Sequence, residues 1–297
     1  MTDDRLDALA RDDKWYLSCG TGVLWAPPFP QWLHVPGFWD EAHVDYHPVG
    51  PLFAVALVDA TGRAVPLARR SWRWRPDVIL AEWVTPTGAT LVERRYALPD
   101  QRLASAWSCP ADLDLEGPAW LVAFSVQPGE ACDEVRQEET DALRWTRRVT
   151  DRRGEEASIT TRLTASAQGP HTPRVRRAAL RSEGSLAHPV WLHTPFAERW
   201  SREGLREEVR LEGISASGFV HLAVAIEVGA TPVFCASIDT PWAPGRRPAP
   251  SAPTTCREAT RAWTTWLDDF PRFSCSDPYL ARAYDYRLYG LRLNRLG

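Results

Sequence analysis

The sequence predicts a mainly β protein: a large antiparallel two-sheet sandwich, then a proline-rich connector, then two C-terminal helices. Three observations carry that expectation. From Gly50 to about Asp239 the chain is a succession of short β-branched and aromatic runs broken by turn residues, at about ten residues per strand and with no helical period between them. Residues 241–255, "PWAPGRRPAPSAPTT", interrupt the rhythm with five prolines, as an extended linker would. After them the apolar period changes from two to about 3.6.

At 297 residues, 44% of them hydrophobic, the chain can bury a large core as one big all-β domain or two ordinary ones. Net charge is −3, and its 35 basic and 38 acidic residues are interspersed, so no basic footprint points to nucleic acid. The N-terminal stretch "MTDDRLDALARDD" is charged and has no apolar centre, which excludes a secretory signal. No run approaches the ~20 apolar residues of a membrane helix. The chain therefore reads as cytoplasmic, with no membrane partner. Cys19, Cys109, Cys132, Cys235, Cys256 and Cys275 are dispersed without a C-x-x-C pair, which argues against zinc and reads as buried free thiols.

The β region contains recognisable hairpins. "LFAVALVDATGRAVPL" is a strand, a Thr-Gly turn and a strand, and "VILAEWVTPTGATLVERRYAL" repeats the device around Pro86 and Gly88. "SASGFVHLAVAIEVGATPVFCASI" predicts a further local pairing across Gly229 to Pro232. In "DALRWTRRVTDRRGEEASITTRLTASAQ", Arg147, Arg148, Arg152 and Arg153 sit among Asp141, Asp151, Glu155 and Glu156, the pattern of a hairpin with one solvated face. Beyond the linker, "TCREATRAWTTWLDDF" opens with threonines able to cap a helix of about three turns, and Ala259, Ala262, Trp263, Trp266 and Leu267 fall on one side of it. In "SCSDPYLARAYDYRLYGLRLNRLG", Ser276 or Asp277 can cap and Pro278 suits the first helical position. This second helix has one face of Leu280, Ala283, Tyr284, Leu288 and Leu291 and another of Tyr279, Tyr286, Tyr289, Leu293 and Leu296. Such a helix needs cover on most of its circumference, from the β domain, from further chain, or from a second copy through self-association.

The stretch richest in chemistry is "WLHVPGFWDEAHVDYHP", residues 32–48, with two Trp, three His and three acids around a Pro-Gly turn. His34, His43 and His47 with Asp40, Glu41 and Asp45 could be a metal set, but their spacing matches no compact ligand signature, so no metal is assigned. Two readings stay open. As a carbohydrate rim, "GFWDEAH" offers a flat indole for sugar C–H faces and polar groups for hydroxyls. As a structural loop, Trp25, Trp32 and Trp39 bury apolar area while their indole N–H groups find local partners.

The segments "KWYLSCGTGVLWAPPFPQWLHVPGFWDEAH" and "FSCSDPYLARAYDYRLYGLRL", in a β-then-helix layout, resemble the front of bacterial glycosidases in which a β-supersandwich precedes an (α/α)6 barrel. These enzymes are similar to glycoside hydrolase family 63 and to amylo-α-1,6-glucosidases. The resemblance implies a β-supersandwich over 1–245, a linker with a connector helix over 246–275, and the first barrel helix over 276–297. It implies an inverting reaction with two carboxylic residues, an acid for the leaving oxygen and a base for water. Both come from the barrel in that family, so no catalytic residue is assigned here and the 297 residues are expected to be inactive alone. Asp40 and Glu41 are adjacent, project in different directions and cannot easily flank one bond. The substrate-binding candidates are Trp39, Asp40, Glu41 and His43, with Arg287 on the second helix. The expected partner is an oligosaccharide or small glucoside, without a cofactor. A free-standing carbohydrate-binding module and a non-catalytic scaffold or oligomerisation protein remain as alternatives.

Overall fold

The computed structural model describes residues 4–20, 22–27, 33–39, 42–44, 47–110, 113–130, 132–138, 142–150, 154–168, 175–182, 210–211, 218–229, 231–241 and 255–293. Two antiparallel sheets face each other. In one, β8 (Ala68–Arg75), β9 (Val78–Val84), β10 (Thr90–Leu98) and β11 (Arg102–Ser108) form a meander, and β13 (Cys132–Glu138), β14 (Ala142–Thr150) and β15 (Glu156–Gln168) form a second. β19 (Thr231–Asp239) lies between β15 and β11 and joins the meanders, and β17 (Arg210–Leu211) pairs on β13, giving nine strands. The opposing sheet runs β16 (Val175–Ser182), β18 (Phe219–Glu227), β12 (Trp120–Pro128), β6 (Phe53–Val58) and β3 (Gly37–Phe38), with β7 (Ala64–Val65) also on β6.

The expected turns at 59–62 and 85–89 close the β6–β7 and β9–β10 hairpins, and the charged stretch pairs as β14 with β15. The pairing predicted across Gly229 to Pro232 is wrong. β18 pairs with β12 and β16 in one sheet while β19 pairs with β11 and β15 in the other, so the short connection crosses between sheets. All but the end residues of both strands are buried, because each is an interior strand of its sheet with cover on both sides. A third sheet, absent from the two-sheet expectation, is built by β1 (Leu17–Ser18), β2 (Val23–Trp25), β4 (Ala42–Val44) and β5 (His47–Pro48). Leu17, Val23, Trp25, Ala42 and Val44 of that sheet enter the main core.

Of the three α-helices among the described residues, two follow the β region. α1 (Asp4–Ala8) is docked where Arg5 reaches Asp285 at 2.5 Å and also bonds the carbonyl of Leu267. α2 (Cys256–Asp268) begins at Thr255, whose N–H donates to the Glu258 carboxylate at 3.2 Å. Ala259 of α2 covers Tyr96, Leu98, Ala104, Val233 and Cys235 on the outer face of the nine-stranded sheet. α3 (Pro278–Leu293) starts as expected, with the Asp277 carboxylate accepting from the Tyr279 N–H at 2.8 Å. Trp263, Leu267, Leu288 and Tyr289 share one buried core with the sheets. Arg292 lies 4.4 Å over the Trp263 ring and donates to the carbonyls of Cys19 and Ala262. The β domain therefore buries Leu288, Tyr289 and Arg292 of α3 and packs partly against Tyr284, Tyr286 and Leu293, while Tyr279, Leu280 and Leu291 of both predicted apolar faces are 79, 56 and 61% exposed. The proline-rich 242–254 lies outside the described residues. All six cysteines are free; Cys19, Cys132 and Cys235 are buried, but Cys275 is exposed, since the turn before α3 is solvated.

Candidate functional site

The predicted site residues that the structure describes lie in two places. The first is the segment 33–48. Gly37 sits at φ +89 in an approach so close that a Cβ there would meet the Phe53 carbonyl at 2.9 Å, which is why the turn carries glycine. The Gly37 N–H donates to Glu93 Oε1 at 2.8 Å. Glu93 is fully buried, and Oε1 also accepts from Ser105 at 2.7 Å, while Oε2 accepts from the Trp83 indole and from Arg95, both at 3.0 Å. Arg95 holds the same segment from its other side by donating to the Val35 carbonyl at 3.0 Å. A buried ion pair thus clamps the Pro-Gly turn onto the sheet, with every carboxylate lone-pair direction in use.

That clamp decides where the aromatic residues lie. Trp25 is buried, makes an edge contact with Phe38 at 5.3 Å and donates to the Trp39 carbonyl at 3.2 Å. Trp39 is half-buried, with its ring 6.0 Å from Phe124 on the outer face of the six-stranded sheet. His43 is half-buried in β4, opposite Leu24 and Pro48. Asp40 and Glu41 lie outside the described residues, as do Trp32 and Asp45. His34 is exposed, and its pKa is lowered by burial of its ring and then by the charge of Arg69. Among the described residues no three His, Cys, Asp or Glu side chains come together as metal ligands.

The second place holds Arg287. Residues 279, 282, 283 and 286 recur at helical spacing and put Tyr279, Arg282 and Tyr286 on one face of α3, with Arg287 beside them. That face and the segment Ala10–Asp13 form the walls of an open groove of about 800 Å3. The segment is fixed by a two-way backbone bridge between Arg11 and Trp74 (2.9 and 2.7 Å) and by Arg282 donating to the Ala10 carbonyl at 3.0 Å. Arg11 grips Asp13 with two bonds of 2.5 and 2.6 Å, and this contact holds the Asp13 carboxyl below its ordinary range. Tyr286 shares a hydroxyl bond of 3.0 Å with Tyr16, and the Lys14 ammonium stands 5.9 Å over its ring. Burial, followed by that bond, pushes the Tyr16 hydroxyl well above its ordinary pKa, so it stays protonated.

Chemically the groove offers two tyrosine faces, three guanidinium groups and two carboxylates within one open surface. Those groups suit a neutral polyhydroxyl ligand, with donors and acceptors alternating beside aromatic faces. The structure brings Arg287 together with Tyr279, Tyr286, Arg11 and Asp13, which the sequence reading did not assign to a site. Their common helical face was visible in "DPYLARAYDYR", but its partner segment at 10–13 is more than 260 residues away. The Glu93–Arg95 clamp was also missed. In "TLVERRYAL" these two charges alternate with Leu91 and Ala97 on the inward side of the strand, an inward-pointing pattern that could have flagged them.

No protein-family model matches the chain, and no curated protein matches it. Among solved structures the chain is similar to a family GH92 inverting mannosidase from Bacteroides thetaiotaomicron, at 11% sequence identity and a TM-score of 0.43. The likeness covers 80% of this chain, which spans 29% of the mannosidase chain.

Proposed function

We propose that this chain is the non-catalytic β-sandwich portion of a glycoside hydrolase, α-glucosidase-like and inverting as its resemblance implies, which supports a helical neighbour and contributes to the rim of the substrate site. One observation carries the reading. α3 is anchored on the sandwich by Leu288, Tyr289 and Arg292, and it presents outward both apolar residues, Leu280 and Leu291, and the tyrosine-lined groove that contains Arg287. A helix held so firmly on one side and left so apolar on the other is a platform for further helices, and the groove beside it has the chemistry of a sugar contact. In this reading Trp39 and His43 act as supports of the sandwich, through the Phe124 contact and the β4 ladder.

The test has two arms. Aryl α-glucosides and maltooligosaccharides should show no turnover with the 297-residue chain; turnover abolished by changing an acid within it would overturn the non-catalytic reading. Titration calorimetry with maltooligosaccharides should show weak binding that Tyr279→Ala and Arg287→Ala each reduce by about two- to tenfold, the scale of ~0.5–1.5 kcal/mol for an aromatic contact. Binding that neither change affects, or no binding at all, would remove the groove from the rim.

A further inference from the structure

We infer that the inner face of the nine-stranded sheet holds a binding site for a small oxyanion of the phosphate or carboxylate class, between Arg69 and Arg95 and beneath residues 33–37. The strand register puts the two arginines on one face. Arg69 of β8 is directly opposite Trp83 of β9, which is opposite Leu91 of β10, and Glu93 and Arg95 follow Leu91 at the period of two. Arg95 is 1% exposed. Its Nη2 serves Glu93 and the Val35 carbonyl, whereas its Nε and Nη1 are buried without a hydrogen-bond partner among the described residues. The Nη1 of Arg69 is also buried and unpartnered.

Glu93 cannot serve these donors, because its oxygens already accept from Gly37, Ser105, Trp83 and Arg95. Glu93 pairs with Arg95, and Arg69 has no carboxylate partner among the described residues, so its positive charge is uncompensated where its side chain is half-buried. The two cations oppose each other: burial, and then the Arg95 charge, lowers the pKa of Arg69. Aromatic rings fix their positions, with Trp72 5.7 Å from the Arg69 guanidinium and Trp25 and Trp83 5.6 and 5.9 Å from that of Arg95. The rings occupy guanidinium faces, and the N–H edges are left for a ligand. Planar N–H edges match the paired oxygens of a carboxylate or phosphate better than they match a water molecule or a halide. His34, on the segment that Arg95 holds, is exposed, and the charge of Arg69 contributes to lowering its pKa after burial of its ring. The site does not depend on the glycosidase reading.

Inorganic phosphate and acetate are the probes, titrated calorimetrically and in thermal melts at an ionic strength held constant with sodium chloride. Saturable binding and a saturable rise in Tm are expected, weakened about tenfold or more in Arg69→Gln. Arg69 is half-buried on an edge strand, so this variant is expected to fold, and its melt without ligand checks that. Arg69→Lys, which keeps the charge but loses the planar fork, should weaken binding less than Arg69→Gln does. Arg148→Gln, at a side chain 52% exposed, should bind as the unchanged chain does. Absence of saturable binding, or equal binding by Arg69→Gln, would overturn the assignment.

Discussion

Replacing Glu93 with alanine tests the clamp that holds the aromatic segment to the sheet. The carboxylate is fully buried and takes four hydrogen bonds, one from Arg95, itself only 1% exposed. Removing one partner of a buried ion pair costs about 3–5 kcal/mol, because the remaining charge stays desolvated. The Gly37 and Trp83 N–H groups are orphaned as well, at ~1–3 kcal/mol each where they remain buried. Residues 33–39 can lift towards water and rehydrate some of them, so the expected total is about 3–5 kcal/mol rather than the sum. For a domain of this size that corresponds to a fall in Tm on the order of 10 °C. Urea denaturation followed by tryptophan fluorescence and by circular dichroism measures the loss, and amide exchange at Gly37 should accelerate beyond the global change. The double variant Glu93→Leu with Arg95→Met removes both charges and should recover part of the loss. A cost below ~1 kcal/mol for Glu93→Ala, or strict additivity in the double variant, would refute the clamp.

Two further outcomes follow from single positions. Burial lowers the pKa of His221 from its ordinary 6.5 to about 4, so the folded chain keeps it neutral where the unfolded chain protonates it. The resulting stability is intact above about pH 6.5 and is lost as pH falls towards 4, by up to about 3 kcal/mol; denaturation midpoints at several pH values should show a shallower slope in that window for His221→Gln, and equal slopes would refute it. Gly20 has φ +71, and a Cβ there would lie 2.5 Å from Arg292 Cγ, whereas nothing lies within 4 Å of a Cβ at Gly290 in α3. Gly20→Ala should therefore destabilise by about 1–3 kcal/mol and Gly290→Ala should stabilise by about 0.5–1 kcal/mol in the same urea assay, and a shared sign would contradict both arguments.

The sequence by itself determined the β-then-helix order, the hairpins β6–β7, β9–β10 and β14–β15, and the starts of α2 and α3. Each of these is a local matter: turn chemistry at Thr61-Gly62 or Pro86 to Gly88, a cap at Thr255 or Asp277, a period of two or of 3.6. Tertiary structure decided what local signals cannot carry. A buried strand such as β18 or β19 reads as uniformly apolar, so nothing in it says which sheet it joins, and a short glycine-containing connection serves a hairpin and a crossing equally well. Which side of α3 is covered was equally hidden, because both of its faces are apolar in sequence; the anchor proved to be Arg292 stacked on Trp263 together with Tyr289. The groove at Arg287 and the Glu93–Arg95 clamp depend on partners distant along the chain, the first from residues 10–13 and the second from residues 35–37. Their chemistry was present in the residue types, but only packing brought the donors, acceptors and aromatic faces to one place.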